Sequence, residues 1–113
     1  MIYLNGTLMP LAEARVSVMD RGFLFGDGVY EVIPVYDRQP FRLPQHLARL
    51  QRSLAAIRLD DPMTEPAWSA LIHELIRHNE GADQQLYLQI TRGVGSKRNH
   101  AFPSAVAPTV FAM

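Results

Sequence analysis

The sequence predicts an α+β domain, a small antiparallel sheet carrying two helices, on three observations. Leu43, Leu47, Leu50, Leu54 and Ile57 recur at spacings of 4, 3, 4 and 3 residues, which puts them on one face of a helix. Trp68, Leu71, Ile72, Leu75 and Ile76 make a second stripe of the same kind. Val29–Tyr36 is rich in β-branched and aromatic residues, and Gln84–Arg92 alternates apolar with polar side chains, the two patterns of strands. Strands and helices that can share one apolar interface give the α+β class.

Taken in order, Ile2–Leu4 and Thr7–Met9 flank Asn5-Gly6, the dipeptide of a type I′ hairpin turn. Val16–Val18 has the composition of a short strand. Asp20–Gly28 holds three glycines around an aromatic cluster, which predicts a loop or a single helical turn with special backbone angles. The strand Val29–Tyr36 contains Pro34, so it belongs at an edge or carries a bulge. The first helix is expected over residues 44–58, with Pro44 in its first turn, where a missing N–H costs nothing. The second is expected over 65–79, capped by Thr64 and ended by Gly81 in a left-handed conformation. Residues 93–107 form a loop, and Thr109–Met113 starts a new strand. A chain that stops on an apolar β run suggests that something normally continues, and an uncovered edge there would pair with another chain.

Composition narrows the function. A chain of 113 residues, 48% hydrophobic and 19% charged, has material for one core and is not disordered. Eleven basic and eleven acidic residues cancel, so no net field draws it to nucleic acid or an anionic membrane. Neither a signal peptide nor an apolar run near the ~20 residues of a membrane helix occurs, which makes a cytoplasmic protein the expectation. Cysteine is absent, which removes disulfides, thiolate metal sites and a cysteine nucleophile. The four histidines show no metal spacing. Ten of the eleven basic residues are arginine, and Lys97 is the only lysine. Arginine grips phosphate and carboxylate with a planar fork, whereas only a lysine can become a neutral amine nucleophile.

Few side chains stand out as candidates. Glycines 22, 26 and 28 precede a strand rather than a helix, and Gly93–Arg98 lacks P-loop spacing, so neither segment is a nucleotide fingerprint. Arg49 lies next to the apolar stripe of its helix, where a guanidinium can either snorkel or hold a phosphate bordering a cleft. His46, one turn earlier, could support it or be an ordinary surface histidine. Arg92, Lys97, Arg98 and His100 crowd positive charge into nine residues, which reads as a solvated loop or as an anion trap. Tyr30, at the start of a strand after a glycine loop, either packs or aims its hydroxyl into a cleft.

Together these segments resemble one family, the class IV (fold type IV) pyridoxal-phosphate aminotransferases. Residues 20–32, DRGFLFGDGVYEV, look like its signature, and His46-Leu47-Ala48-Arg49-Leu50 like its His-x-x-Arg-Leu helix. Thr91-Arg92-Gly93 followed by Arg98-Asn99-His100 is similar to the substrate loop of the D-amino acid (D-alanine) transaminase branch. Branched-chain members tend to have glycine and arginine after the acidic residue, where this chain has Val32-Ile33 after Glu31. Aminodeoxychorismate lyases are more distant.

The resemblance implies that residues 1–113 form the N-terminal small domain of the fold type IV architecture. It implies that Arg49 binds the phosphate of pyridoxal 5′-phosphate, and that Tyr30, Arg98 and His100 hold the substrate α-carboxylate, the last two reaching across from the partner subunit of a homodimer. The substrates would be a D-amino acid and a 2-oxo acid. The family's Schiff-base lysine lies in a second domain that has no counterpart here, and Lys97 is out of place for it. The expectation is therefore no transamination by this chain alone, with a non-enzymatic anion-binding or dimerising module as the alternative.

Overall fold

A computed structural model describes all 113 residues. The chain runs through β1 (Ile2–Leu4), β2 (Thr7–Met9), a 3-10 turn at Leu11–Glu13, α1 (Arg21–Phe25), β3 (Gly28–Tyr36) and β4 (Gln39–Pro40). It continues through α2 (Leu43–Ala56), α3 (Glu65–His78), β5 (Gln84–Thr91) and β6 (Thr109–Ala112). All six strands join one antiparallel sheet in the order β2-β1-β6-β5-β3-β4, so the expected α+β architecture is present.

Strand alternation sorts the two faces. Ile33 and Val35 of β3, Leu86, Leu88 and Ile90 of β5, and Val110 and Ala112 of β6 meet the leucine stripe of α2 and the Trp68–Ile76 stripe of α3 in one cluster. Ile2 and Leu4 are buried outside that cluster, Leu4 in register with Phe111 on the other face. There the segment around Ala14, Val16 and Asp20 closes part of the sheet. Tyr30, Tyr87 and Phe111 line the remainder, with Tyr30 and Tyr87 stacked at 5.8 Å.

The turn chemistry follows the sequence closely. Asn5 (φ 47°) and Gly6 (φ 95°) make the hairpin turn. Asp20 caps α1 by accepting from Gly22 N, and Gly26 ends it in the left-handed region, which glycine enters without strain. Pro34 sits second from the sheet edge. Its carbonyl accepts from Phe41 N, so its missing N–H points to the same outer side, and the β5 ladder loses nothing.

Three expectations fail. Val16–Val18 is no strand but an irregular stretch that enters a turn at Val18, with Val16 lying over the sheet face. α3 ends on extended Asn79 rather than at Gly81, whose positive φ serves the following turn. Most consequentially, β6 lies between β1 and β5, hydrogen-bonded on both sides. It offers no edge for another chain, so a dimerising module cannot be built on it. No helix is long and apolar enough to cross a membrane.

Candidate functional site

The charged centre of α2 is built from β3 upward. Glu31 points to the helix face of the sheet, the register of Ile33 and Val35, and is only 2% exposed there. A buried carboxylate needs partners. Arg49 donates from Nε to Glu31 Oε1 and from Nη2 to Glu31 Oε2, both at 2.6 Å. His46 donates from Nδ1 to the same Oε2 at 2.8 Å. Burial pushes the Glu31 carboxyl up, but the bonds from Arg49 and His46 prevail and hold it below its ordinary value. Glu31 in turn raises Arg49.

One edge of the Arg49 guanidinium is thus fixed, while its side chain remains 58% exposed. The other edge opens into a hollow of about 260 Å³ lined by Arg42, Gln45, His46, Arg49 and Arg52. No carboxylate lines it and three arginines do, which gives a space that suits a multiply charged oxyanion. That donor set fits the phosphate end of pyridoxal phosphate. Arg42 reaches this position through a left-handed backbone (φ 54°) just before α2.

A second centre lies at the start of β3. Asp27 Oδ2 accepts from Arg21 Nε and Arg92 Nε, each at 2.8 Å. Burial raises the Asp27 carboxyl, and the bonds from Arg92 and Arg21 more than offset that, leaving it lowered. Arg92 continues to the carbonyls of Ile57 (2.6 Å) and Arg58 (3.3 Å), and its guanidinium lies 3.7 Å from the Phe102 ring centre. Arg21 donates to the carbonyls of Asn99, His100 and Ala101 at 2.5, 3.1 and 3.4 Å.

The sequence candidates divide between these centres. Arg98 and His100 each approach Phe25, the guanidinium 5.1 Å and the imidazole 4.9 Å from its ring centre, with the Arg21 guanidinium 4.8 Å from the same ring. Tyr30 is 64% exposed on the opposite face from Glu31, stacked on Tyr87. No hydrogen bond or ring contact joins it to Arg98 or His100. Lys97 stands exposed in the loop. Arg92, grouped with that loop in the sequence, is instead buried and consumed by Asp27 and the end of α2, so it is no part of an exposed anion trap. Sequence reasoning missed Glu31 and Asp27 as the groups that fix the arginines, and Arg21 as the group that holds the loop carbonyls. A charged residue at the inward register of a strand was the available signal for Glu31.

Comparison with known proteins gives a consistent picture. The family model described as amino-transferase class IV matches residues 28–113. The D-alanine aminotransferase of Bacillus licheniformis is 41% identical over 111 residues, 98% of this chain and 39% of that protein. Among solved structures, the branched-chain aminotransferase of the thermophilic archaeon Thermoproteus uzoniensis with norvaline superposes with a TM-score of 0.78 at 30% identity, over 99% of this chain and 39% of that one. The 4-amino-4-deoxychorismate lyase of Pseudomonas aeruginosa gives 0.81 at 27% identity, over all of this chain and 38% of that one. The chain spans about two fifths of the length of the curated relatives it matches.

Proposed function

The chain belongs to the class IV aminotransferase family, and on that premise we propose that it is the small-domain part of a D-amino acid transaminase. The reaction moves an amino group between a D-amino acid, D-alanine in the first instance, and a 2-oxo acid. Its setting is the cytoplasm. The observation that carries the reading is Arg49, braced on one edge by buried Glu31 and free on the other in a hollow without carboxylates.

When bound, pyridoxal phosphate supplies the electron sink for the substrate α-carbon. This chain supplies binding and orientation. Arg49 holds the phosphate through the edge that Glu31 leaves open, Glu31 keeps that edge aimed, and Arg42 and Arg52 add positive charge at the hollow. His46 completes the brace through Nδ1. Arg98 and His100 present a planar cation and a directional ring donor to a carboxylate, and Tyr30 adds a phenol. Their separation within one chain supports a homodimer in which Arg98 and His100 of one copy serve the Tyr30 of the other. Val32 and Ile33 after Glu31, together with the D-alanine aminotransferase likeness across 98% of the chain, favour the D-amino acid branch over the branched-chain one.

The lysine that would hold the cofactor's aldehyde in such an enzyme belongs, on this reading, to a large domain not included in residues 1–113. The test is pyruvate formation from D-alanine and 2-oxoglutarate with added cofactor. The 113-residue chain alone should not exceed the rate of free cofactor, and the same chain joined to a lysine-bearing large domain should. Turnover by the pure chain overturns the division of labour, and none by the joined protein overturns the function.

A further inference from the structure

Between Ser96 and Pro108 the backbone makes no hydrogen bond with other backbone, so ladder bonds cannot set its path. Within the loop Ala101 N donates only to the side chain of Asn99. The carbonyls of Asn99, His100 and Ala101 nevertheless share a partner, the guanidinium of Arg21, whose residue is only 5% exposed. Arg21 also holds the root of the loop, since its backbone N donates to Gly93 O at 2.8 Å. Gly93 has φ 98°, and a Cβ there would run into the Ala107 carbonyl, so the loop enters and returns through one tight crossing. Asp27 aims the guanidinium through Nε, and Arg92, bonded to the same oxygen, ties that carboxylate to the end of α2 and stacks on Phe102. One turn along α1, Phe25 receives both Arg98 and His100.

We infer that Arg21, aimed by Asp27, is a positioning residue that grips the backbone at 99–101 and so sets both Arg98 and His100 against Phe25. It acts through the loop and not on substrate, and the inference rests on the reading above only in taking those two side chains as carboxylate donors. The chemistry requires arginine. Lysine could keep the ion pair with Asp27, but a single ammonium cannot face Asp27 and three successive carbonyls in one plane.

The experiment compares the unsubstituted protein with Arg21→Lys. Trypsin cleavage after Lys97 and Arg98 should accelerate about tenfold, the factor that one lost charge-assisted hydrogen bond represents. The ring protons of His100 should lose their Phe25 ring-current shift while the β3 and β5 resonances stay in place. KM for the amino acid in the transaminating protein should rise by about the same tenfold factor, with kcat little changed. Asp27→Asn keeps the shape and an acceptor but not the charge. It should speed the same cleavages by a smaller factor, and it preserves the test if the lysine variant loses its sheet. Wild-type cleavage rates and His100 shifts in folded variants overturn the clamp, and a freed loop with unchanged KM overturns the positioning role. If the unsubstituted chain joined to its lysine-bearing large domain transaminates nothing, the functional reading fails, while proteolysis and NMR still decide the clamp.

Discussion

Arg49 and Glu31 are bound to one another in function and in stability, and the two can be separated by substitution. Arg49→Ala removes the cation from the hollow, so the cofactor's dissociation constant should rise tenfold or more (roughly one charge-assisted bond or better). It also leaves Glu31 buried with only His46 as partner, an unbalanced charge. Glu31→Gln added to Arg49→Ala should therefore raise the melting temperature above that of Arg49→Ala alone, while cofactor affinity stays lost. Thermal unfolding by circular dichroism and cofactor titration give the two readouts. A double variant less stable than the single one would show that Glu31 is not held there by its cationic partners. Arg49 was legible in the sequence because helical periodicity fixes its angle to the stripe at Leu47 and Leu50. The same periodicity carries no information about which strand lies beneath, so Glu31 could be assigned a face but not a partner.

At the scale of elements, α2 is fastened by its leucines and the 93–107 loop by its crossing. Leu50 is wholly buried in the core, and Leu50→Ala should cost about 3 kcal/mol through lost burial and a residual cavity. Denaturant unfolding followed by tryptophan fluorescence of buried Trp68 would report it. A loss under ~1 kcal/mol would mean that α2 repacks freely, in conflict with interior packing density. Gly93→Ala should cost at least about 2 kcal/mol for a different reason, since the side chain meets the Ala107 carbonyl at a backbone angle that alanine resists. The helices and the hairpin were legible because local periodicity and turn chemistry define them. The place of β6 was not. Its pairing with β1 joins residues more than a hundred positions apart (Tyr3 with Ala112, Leu4 with Phe111), and no local pattern in Thr109–Met113 distinguishes a central strand from an edge. The clamp at Arg21 was hidden for a related reason, because its acceptors are backbone carbonyls 78 to 80 residues away.

For the molecule as a whole, the two carboxylate centres make stability depend on acid. Glu31 ties β3 to the N-terminal half of α2, and Asp27, through Arg92, ties the start of β3 to the carbonyls that finish the same helix. Both carboxyls are lowered in the folded chain from ordinary values of 3.8 for Asp27 and 4.5 for Glu31. Above those ordinary values both states are ionised and the full contribution is present. As the pH falls below them, the unfolded chain takes up protons that the folded chain refuses, so stability declines until the lowered folded values are passed. The slope reaches at most about 1.4 kcal/mol per pH unit for each group. Urea unfolding between pH 7 and pH 3 should therefore show a falling acid limb that Asp27→Asn and Glu31→Gln each flatten. The two share no hydrogen-bond partner, so their effects should add in the double variant. An acid limb unchanged in both single variants would place the acid sensitivity elsewhere. A strongly non-additive double variant would mean that the two ends of α2 loosen as one unit rather than separately.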